Sequence, residues 1–239
     1  MLIYPAIDLI GGDAVRLYQG DYNKQSTFGD PVGFAVAFRS AGAKYLHVVD
    51  LDGAKAGAPR NLDSVKAIRA AVPDMFIELG GGIRDEQAAA RYFDLGIDRV
   101  ILGTAALKNQ TFAREMAARY PDSIAVGIDA RDGRVAIEGW TDNSDTDSIE
   151  FCSAMRNIGV RNIIYTDISK DGAGQGTNIE VYKTLAKIEG LDITASGGIS
   201  SLSDIETLRD MNLYAAIIGK ALYTGDVDLA EALAAATRE

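Results

Sequence analysis

Leu79-Gly80-Gly81-Gly82-Ile83 and Ile101-Leu102-Gly103-Thr104-Ala105 each return later in the chain, as Ala195-Ser196-Gly197-Gly198-Ile199 and Ile217-Ile218-Gly219-Lys220-Ala221, both 116 positions on. Each is the end of an apolar, β-rich run followed by a glycine turn. The spacing around them is also kept. Strand starts step by 30 and 23 residues from 45 to 75 to 98, and by 30 and 23 again from 161 to 191 to 214. One more matched pair heads the two halves: Pro5-Ala6-Ile7-Asp8 and Val126-Gly127-Ile128-Asp129 are apolar strands ending in an aspartate. Repetition at this scale reads as a duplicated (β/α)4 unit, with half-repeats at about 1–120 and 121–239.

Outward from the repeat, β-rich runs fall at about 2–8, 45–51, 75–79, 98–102, 123–128, 161–166, 191–195 and 214–218. Between them lie amphipathic patterns that begin near Pro31, Asn61, Asp85, Lys108, Asp147, Asn178, Ser201 and Asp226, several of them good helix-starting residues. Eight strands alternating with eight helices predict an α/β fold, a (β/α)8 TIM barrel forming one domain over 1–239. A doubly wound open sheet is the competing layout, but it does not require matching halves.

Composition narrows the function. A net charge of −10 argues against nucleic acid and anionic membranes as partners, while leaving room for phosphorylated metabolites held by backbone amides. The chain starts on a strand-like Leu2-Ile3-Tyr4 and nowhere runs eighteen apolar residues together, so a soluble cytoplasmic monomer is the expectation. Cys152 stands alone, so no internal disulfide forms, and it reads as a buried thiol. His47, the sole histidine, lies within a strand-like run, so neither a catalytic histidine nor a His-based metal site is expected.

In a barrel the residues that follow the strands gather at one face, where barrel enzymes do their chemistry. Asp8 and Asp129 share that rim. Gly197, Gly198 and Gly219, with Ser196 and Lys220, form a candidate phosphate cradle after the last two strands, to which Gly172 of the preceding loop is added. Gly81, Gly82, Gly103 and Thr104 are the equivalent set after the third and fourth. Two cradles on opposite sides of the mouth predict an elongated small molecule phosphorylated at both ends, with the acids flanking its middle. For Asp50, Asp52 and Asp167, helix capping and a site role stand level.

Three long connections carry the rest. Leu9–Asp30 holds Arg16, Gly20 and a polar run, Asp21-Tyr22-Asn23-Lys24-Gln25-Ser26, and reads as a loop able to act as a lid. Ala130–Thr146 holds Arg131-Asp132-Gly133-Arg134, a hairpin-turn pattern, then Gly139 and the only tryptophan, Trp140, for which simple packing and stacking on a heteroaromatic ring stand level. The glycine-rich stretch from Asp167 to Thr177 brings Asp171 near the rim, where Thr166 also lies.

These residues resemble the histidine-biosynthesis isomerases that act on phosphoribosylformimino-5-aminoimidazole carboxamide ribotide. The resemblance spans essentially the whole chain. It rests on Pro5-Ala6-Ile7-Asp8-Leu9, Val15-Arg16-Leu17-Tyr18-Gln19-Gly20, Val48-Val49-Asp50-Leu51-Asp52-Gly53-Ala54, Gly80-Gly81-Gly82-Ile83-Arg84, and Asp129 with Gly139-Trp140. Ala173 departs from it, standing where the family commonly has threonine. The resemblance implies an Amadori rearrangement of an aminoaldose to an aminoketose without a cofactor. It further implies Asp8 as base and Asp129 as acid, with Asp171 a rival for the acid. Thr166 would hold the acid or the sugar, and Arg16, Gly20 and Trp140 would order the loops and the aminoimidazole. The alternatives are the cyclase subunit of imidazole glycerol phosphate synthase, which usually has cysteine where this chain has Ala6; a dual-substrate isomerase that also takes phosphoribosylanthranilate; and a non-catalytic sensor of phosphorylated ligands. Paired carboxylates also suggest glycoside hydrolysis, which fits phosphate cradles poorly.

Overall fold

A computed structural model describes residues 1–140 and 142–237. The chain opens with β1 (Leu2–Ile10), a hairpin of β2 (Asp13–Tyr18) and β3 (Asp21–Gly29), and α1 (Pro31–Ser40). It continues through β4 (Tyr45–Asp50), α2 (Leu51–Ala56), α3 (Leu62–Ala71), β5 (Phe76–Gly80), α4 (Glu86–Asp94) and β6 (Arg99–Leu102). Then come α5 (Thr104–Lys108), α6 (Gln110–Arg119), β7 (Ile124–Arg131) and a second hairpin, β8 (Arg134–Ile137) with β9 (Asp142–Asp147). The last part is α7 (Ser148–Asn157), β10 (Asn162–Asp167), α8 (Ile179–Leu185), β11 (Asp192–Ser196), α9 (Leu202–Asp210), β12 (Ala215–Ile218), α10 (Lys220–Thr224) and α11 (Leu229–Ala235). No helix among the described residues is long and apolar enough to cross a membrane.

Eight of the strands close a ring of parallel pairs in the order β1, β4, β5, β6, β7, β10, β11, β12 and back to β1. This is the TIM barrel that the alternation predicts. The two-residue period of each strand divides its side chains between the helix layer and the interior. On β1, Ile3, Ile7 and Leu9 join the main core under the helices while Tyr4 and Ala6 join a smaller cluster inside the ring. On β7, Val126 and Ile128 face the helices and Ala125 faces inward; on β10, Tyr165 faces the helices and Ile164 inward. By that parity Asp8, Asp129 and Thr166 are interior residues at the rim, each one step beyond a helix-facing neighbour.

Most helices start where a side chain satisfies the open amides of the first turn. Asp30, Asp85, Asn109, Asp147, Asn178 and Asp228 each accept a backbone N–H, and Ser201 with Asp204 forms a reciprocal capping box; such caps contribute about 1 kcal/mol each. The sequence pattern misplaces two starts. Lys108 ends the short α5, so the next helix begins at Gln110 on its Asn109 cap, and the last begins at Leu229, not near Asp226. The stretch from Leu9 to Asp30 is likewise not an open loop: β2 pairs with both β1 and β3, which folds it back over the barrel mouth.

Candidate active site

The interior acids meet in a cavity of about 230 Å³ at the end of the barrel where the glycine turns lie. Asp8 is opposite Val15 in the β1–β2 ladder, and the next residue, Arg16, returns its Nη1 to Asp8 Oδ2 at 2.6 Å. Arg16 also donates through Nη2 to the Ala6 carbonyl, and its guanidinium lies 4.8 Å from the centre of the Tyr223 ring. Tyr223 itself donates to the same carbonyl at 2.9 Å. The Asp8 carboxylate is therefore ion-paired and held by a half-buried cation.

Across the ring, Asp129 accepts from Trp140 Nε1 at 2.7 Å and has Thr166 as its direct neighbour on β10. Burial raises its affinity for a proton, while the bonds from Trp140 and Thr166 and the nearby His47 act against that rise. The hairpin places the indole by an unusual route: Glu138, Gly139 and Trp140 all have positive φ, at 55°, 66° and 70°. For Glu138 and Trp140 this conformation costs about 1–3 kcal/mol each, strain of the kind concentrated at functional sites. Gly20 fits flat on the indole, and a Cβ there would fall 2.0 Å from the ring.

Asp171 completes a triad of carboxyls. Burial, then the Asp8 charge, raise it to about 7, with Arg16 and Lys220 pulling the other way. The loop that carries it is pinned to the first hairpin. Gln19 N donates to the Asp171 carbonyl at 3.2 Å, Gln19 Nε2 to the Ser169 carbonyl at 2.8 Å, and Lys220 Nζ to the Gly172 carbonyl at 2.8 Å. A Cβ on Gly172 would sit 2.7 Å from the Leu17 carbonyl, so only glycine allows that approach. Three connections thus interlock over the acids.

The glycine turns flank the cavity four strands apart, and their backbones repeat. Gly103 has φ −97° and ψ −108°, and Gly219 has φ −105° and ψ −104°. Gly81 and Gly197 approach equivalent carbonyls, since added Cβ atoms would fall 2.1 Å from Asp50 O and 2.8 Å from Asp167 O. Ser196 and Gly198 line the cavity beside them, and Gly82 and Thr104 do so on the other side. Thr104 Oγ1 accepts from Glu138 N at 2.9 Å, which ties this turn to the tryptophan hairpin.

All the residues singled out in the sequence for catalysis, substrate or phosphate line this one cavity. The three ambiguous acids do not. Asp50, fully buried, accepts from Gly53 N, Arg60 N, Asn61 N, Asn61 Nδ2 and Tyr92 Oη at 2.7 to 3.1 Å. Asp52 accepts from Gly11 N and Asn61 Nδ2, and Asp167 from Ser169 and Asn178. They brace turns. Arg84, Tyr22 and His47 also line the cavity; the sequence pattern assigned Arg84 and Tyr22 no site role and argued against one for His47. Arg84 follows the first glycine turn directly, and His47 shares the interior parity of Ala6, its register partner. Among the described residues, no group of three or more His, Cys, Asp or Glu is placed to hold a metal ion.

The model of a family described as histidine biosynthesis protein matches residues 2–228. The relatives include a protein of Clostridium novyi (strain NT), 48% identical over 234 residues and covering 98% of each chain. A protein of Bacillus thuringiensis subsp. konkukian is also 48% identical over 234 residues, covering 98% of each. One from a Picosynechococcus species is 47% identical over 239 residues, 98% of this chain and 93% of its own. All three carry the name 1-(5-phosphoribosyl)-5-((5-phosphoribosylamino)methylideneamino) imidazole-4-carboxamide isomerase.

Proposed function

The chain belongs to the family of histidine biosynthesis proteins, and on that premise we propose that it is the aldose–ketose isomerase acting on the phosphoribosylamino group of the substrate named for its relatives. The reaction is an Amadori rearrangement. A proton delivered to the ribose ring oxygen opens the C1′–O bond and leaves a protonated imine at C1′. Loss of the C2′ proton gives an enolamine, and tautomerisation returns a proton to C1′, so C1′ is reduced as C2′ becomes the ketone. No external oxidant or reductant enters.

One acid and one base suffice, and the observation that carries the reading is the meeting of three carboxyls between two matching glycine turns. Asp8, an ion-paired carboxylate, takes the C2′ proton. Asp171, which burial and the Asp8 charge raise to about 7, delivers the proton to the ring oxygen. Asp129, fixed by Trp140 and Thr166, is the rival donor and otherwise orients the sugar. The Gly81–Gly82–Gly103–Thr104 and Ser196–Gly197–Gly198–Gly219 turns hold the two phosphates through backbone amides, assisted by Lys220 and Gly172. That remote binding offsets the cost of ordering the loops. Trp140 stacks on the aminoimidazole, and Arg16 keeps Asp8 aimed. The protein works as a monomer in the cytoplasm, as a single domain of two half-repeats.

The test is to supply the aminoaldose and follow its conversion to the ketose with wild type, Asp171→Asn and Asp129→Asn. Loss of the acid should remove the fall in kcat/KM above pH 7. If only Asp129→Asn removes it, the acid is Asp129. No observation favours the cyclase or the dual-substrate reading.

A further inference from the structure

Beneath the rim acids lies a polar row that the mechanism above does not use. His47, Glu78 and Arg99 are direct register neighbours on β4, β5 and β6, all facing the barrel interior. His47 Nδ1 is 2.9 Å from Glu78 Oε1, and Arg99 Nη1 is 3.4 Å from Glu78 Oε2. Glu78 is completely buried, and Arg99 is nearly so, with its Nε donating to the Asp122 carbonyl at 3.2 Å and its guanidinium 5.1 Å from the Phe76 ring centre. An ion pair sealed in a barrel core is a poor stabilising device, since apolar side chains of similar volume usually serve as well or better. What distinguishes this pair is its upper neighbour. His47 belongs both to the row and to the wall of the active-site cavity, which Asp129 also lines. Its Nε2 makes no hydrogen bond among the described residues and is not sealed in protein.

We propose that Glu78, held by Arg99, is a positioning residue that acts through His47: it accepts Nδ1–H, fixes the imidazole as the Nδ1-protonated tautomer, and leaves Nε2 as a bare acceptor at the cavity floor for a hydroxyl of the reacting ribose. A neutral imidazole has one donor and one acceptor, and the bond made by one nitrogen decides the role of the other. A carboxylate can only accept, so it assigns the proton to Nδ1. Arg99 pairs with the other oxygen of Glu78 and keeps the carboxylate turned to this task. The proposal rests on the isomerase reading for the identity of the hydroxyl, but not for the tautomer.

His47 is the only histidine, so its two ring nitrogens can be read without assignment in long-range ¹⁵N–¹H correlation spectra of ligand-free protein. Wild type should show a protonated Nδ1 and a bare Nε2 at pH 7.5; a protonated Nε2 or a doubly protonated ring would overturn the proposal whatever the variants do. Glu78→Leu/Arg99→Met removes both charges together and leaves no buried ion unpaired. It should move the ring toward the Nε2-protonated tautomer and lower kcat about tenfold with KM changed less than twofold. An unchanged tautomer or unchanged kcat would refute the positioning role. Of two single replacements, His47→Gln, whose amide reaches the place of Nε2, should retain more activity than His47→Asn, and the reverse order would also refute it. Absence of isomerase activity in wild type would sink the isomerase reading and leave the spectral result standing.

Discussion

Replacing Asp171 by asparagine probes the electrostatics of the mouth through stability as well as rate. Burial and the Asp8 charge raise the Asp171 carboxyl to about 7 in the folded protein, whereas an unfolded aspartate ionises at about 3.9. Over that interval the folded state keeps a proton that the unfolded state releases. The stabilising contribution is therefore full below pH 3.9 and is lost as pH rises through 7. About three units at 1.36 kcal/mol each is roughly 4 kcal/mol, of which about 3 kcal/mol falls between pH 5 and 8.5. Water in the cavity screens part of this, so about 1.5–3 kcal/mol is expected. Asparagine has no proton to lose. In urea unfolding followed by circular dichroism, wild type should lose about 1.5–3 kcal/mol relative to Asp171→Asn on going from pH 5 to 8.5. Parallel stability–pH curves for the two proteins would refute the argument that Asp171 is protonated by its surroundings.

Asp8→Asn keeps the shape and the contact with Arg16 but removes the base, so turnover should fall by at least about a hundredfold while binding of the bisphosphate, measured by calorimetry, stays within a few fold; retained turnover would exclude Asp8 as base. Trp140→Phe keeps an aromatic face but loses the 2.7 Å bond to Asp129, and Trp140→Ala loses both. KM should rise or kcat fall more in the alanine variant, and wild-type constants in both would exclude stacking and orientation by this residue. Asp50→Ala strips five donors of their acceptor and should destabilise the protein by about 3 kcal/mol or more, read as a lower urea midpoint; an unshifted midpoint would show that those amides find other partners.

The barrel was legible because its eight inner strands are apolar runs with turn residues at their ends, and because most of its long helices carry a capping side chain. The outer strands β3 and β9 were not, although Arg131–Arg134 marked the turn between β7 and β8. Asp21–Gly29 and Asp142–Asp147 are polar and largely exposed, so nothing in their composition marks them as strands; pairing with β2 and β8 holds them. The helices α2, α5 and α10 span five or six residues, too few to show a helical period. Glycine doublets and strand-end acids located the site, yet Asp8 and Asp50 look alike in sequence. Both close an apolar run with an aspartate. What separates them is the turn each faces: Asp50 meets five donors as its chain bends into α2, while Asp8 faces the open cavity and Arg16. The proton affinity of Asp171 was illegible for a different reason, since it depends first on burial in the folded mouth and then on charges brought in from β1 and β2.

The near-identical backbones at Gly103 and Gly219 pose a problem of polarity. On the proposed function, a receptacle with matching ends would receive a guest that also has matching ends and reacts at one ribose only. Head-first and tail-first entry meet almost the same amides. Side chains must break the tie: Arg16 crowds Gly219 and Lys220 begins its helix, while Thr104 alone begins the helix at Gly103. Reversed guests would occupy the cavity without turning over, so selection acting on this enzyme has reason to make its two half-barrels unlike in their side chains while leaving their main chains alike.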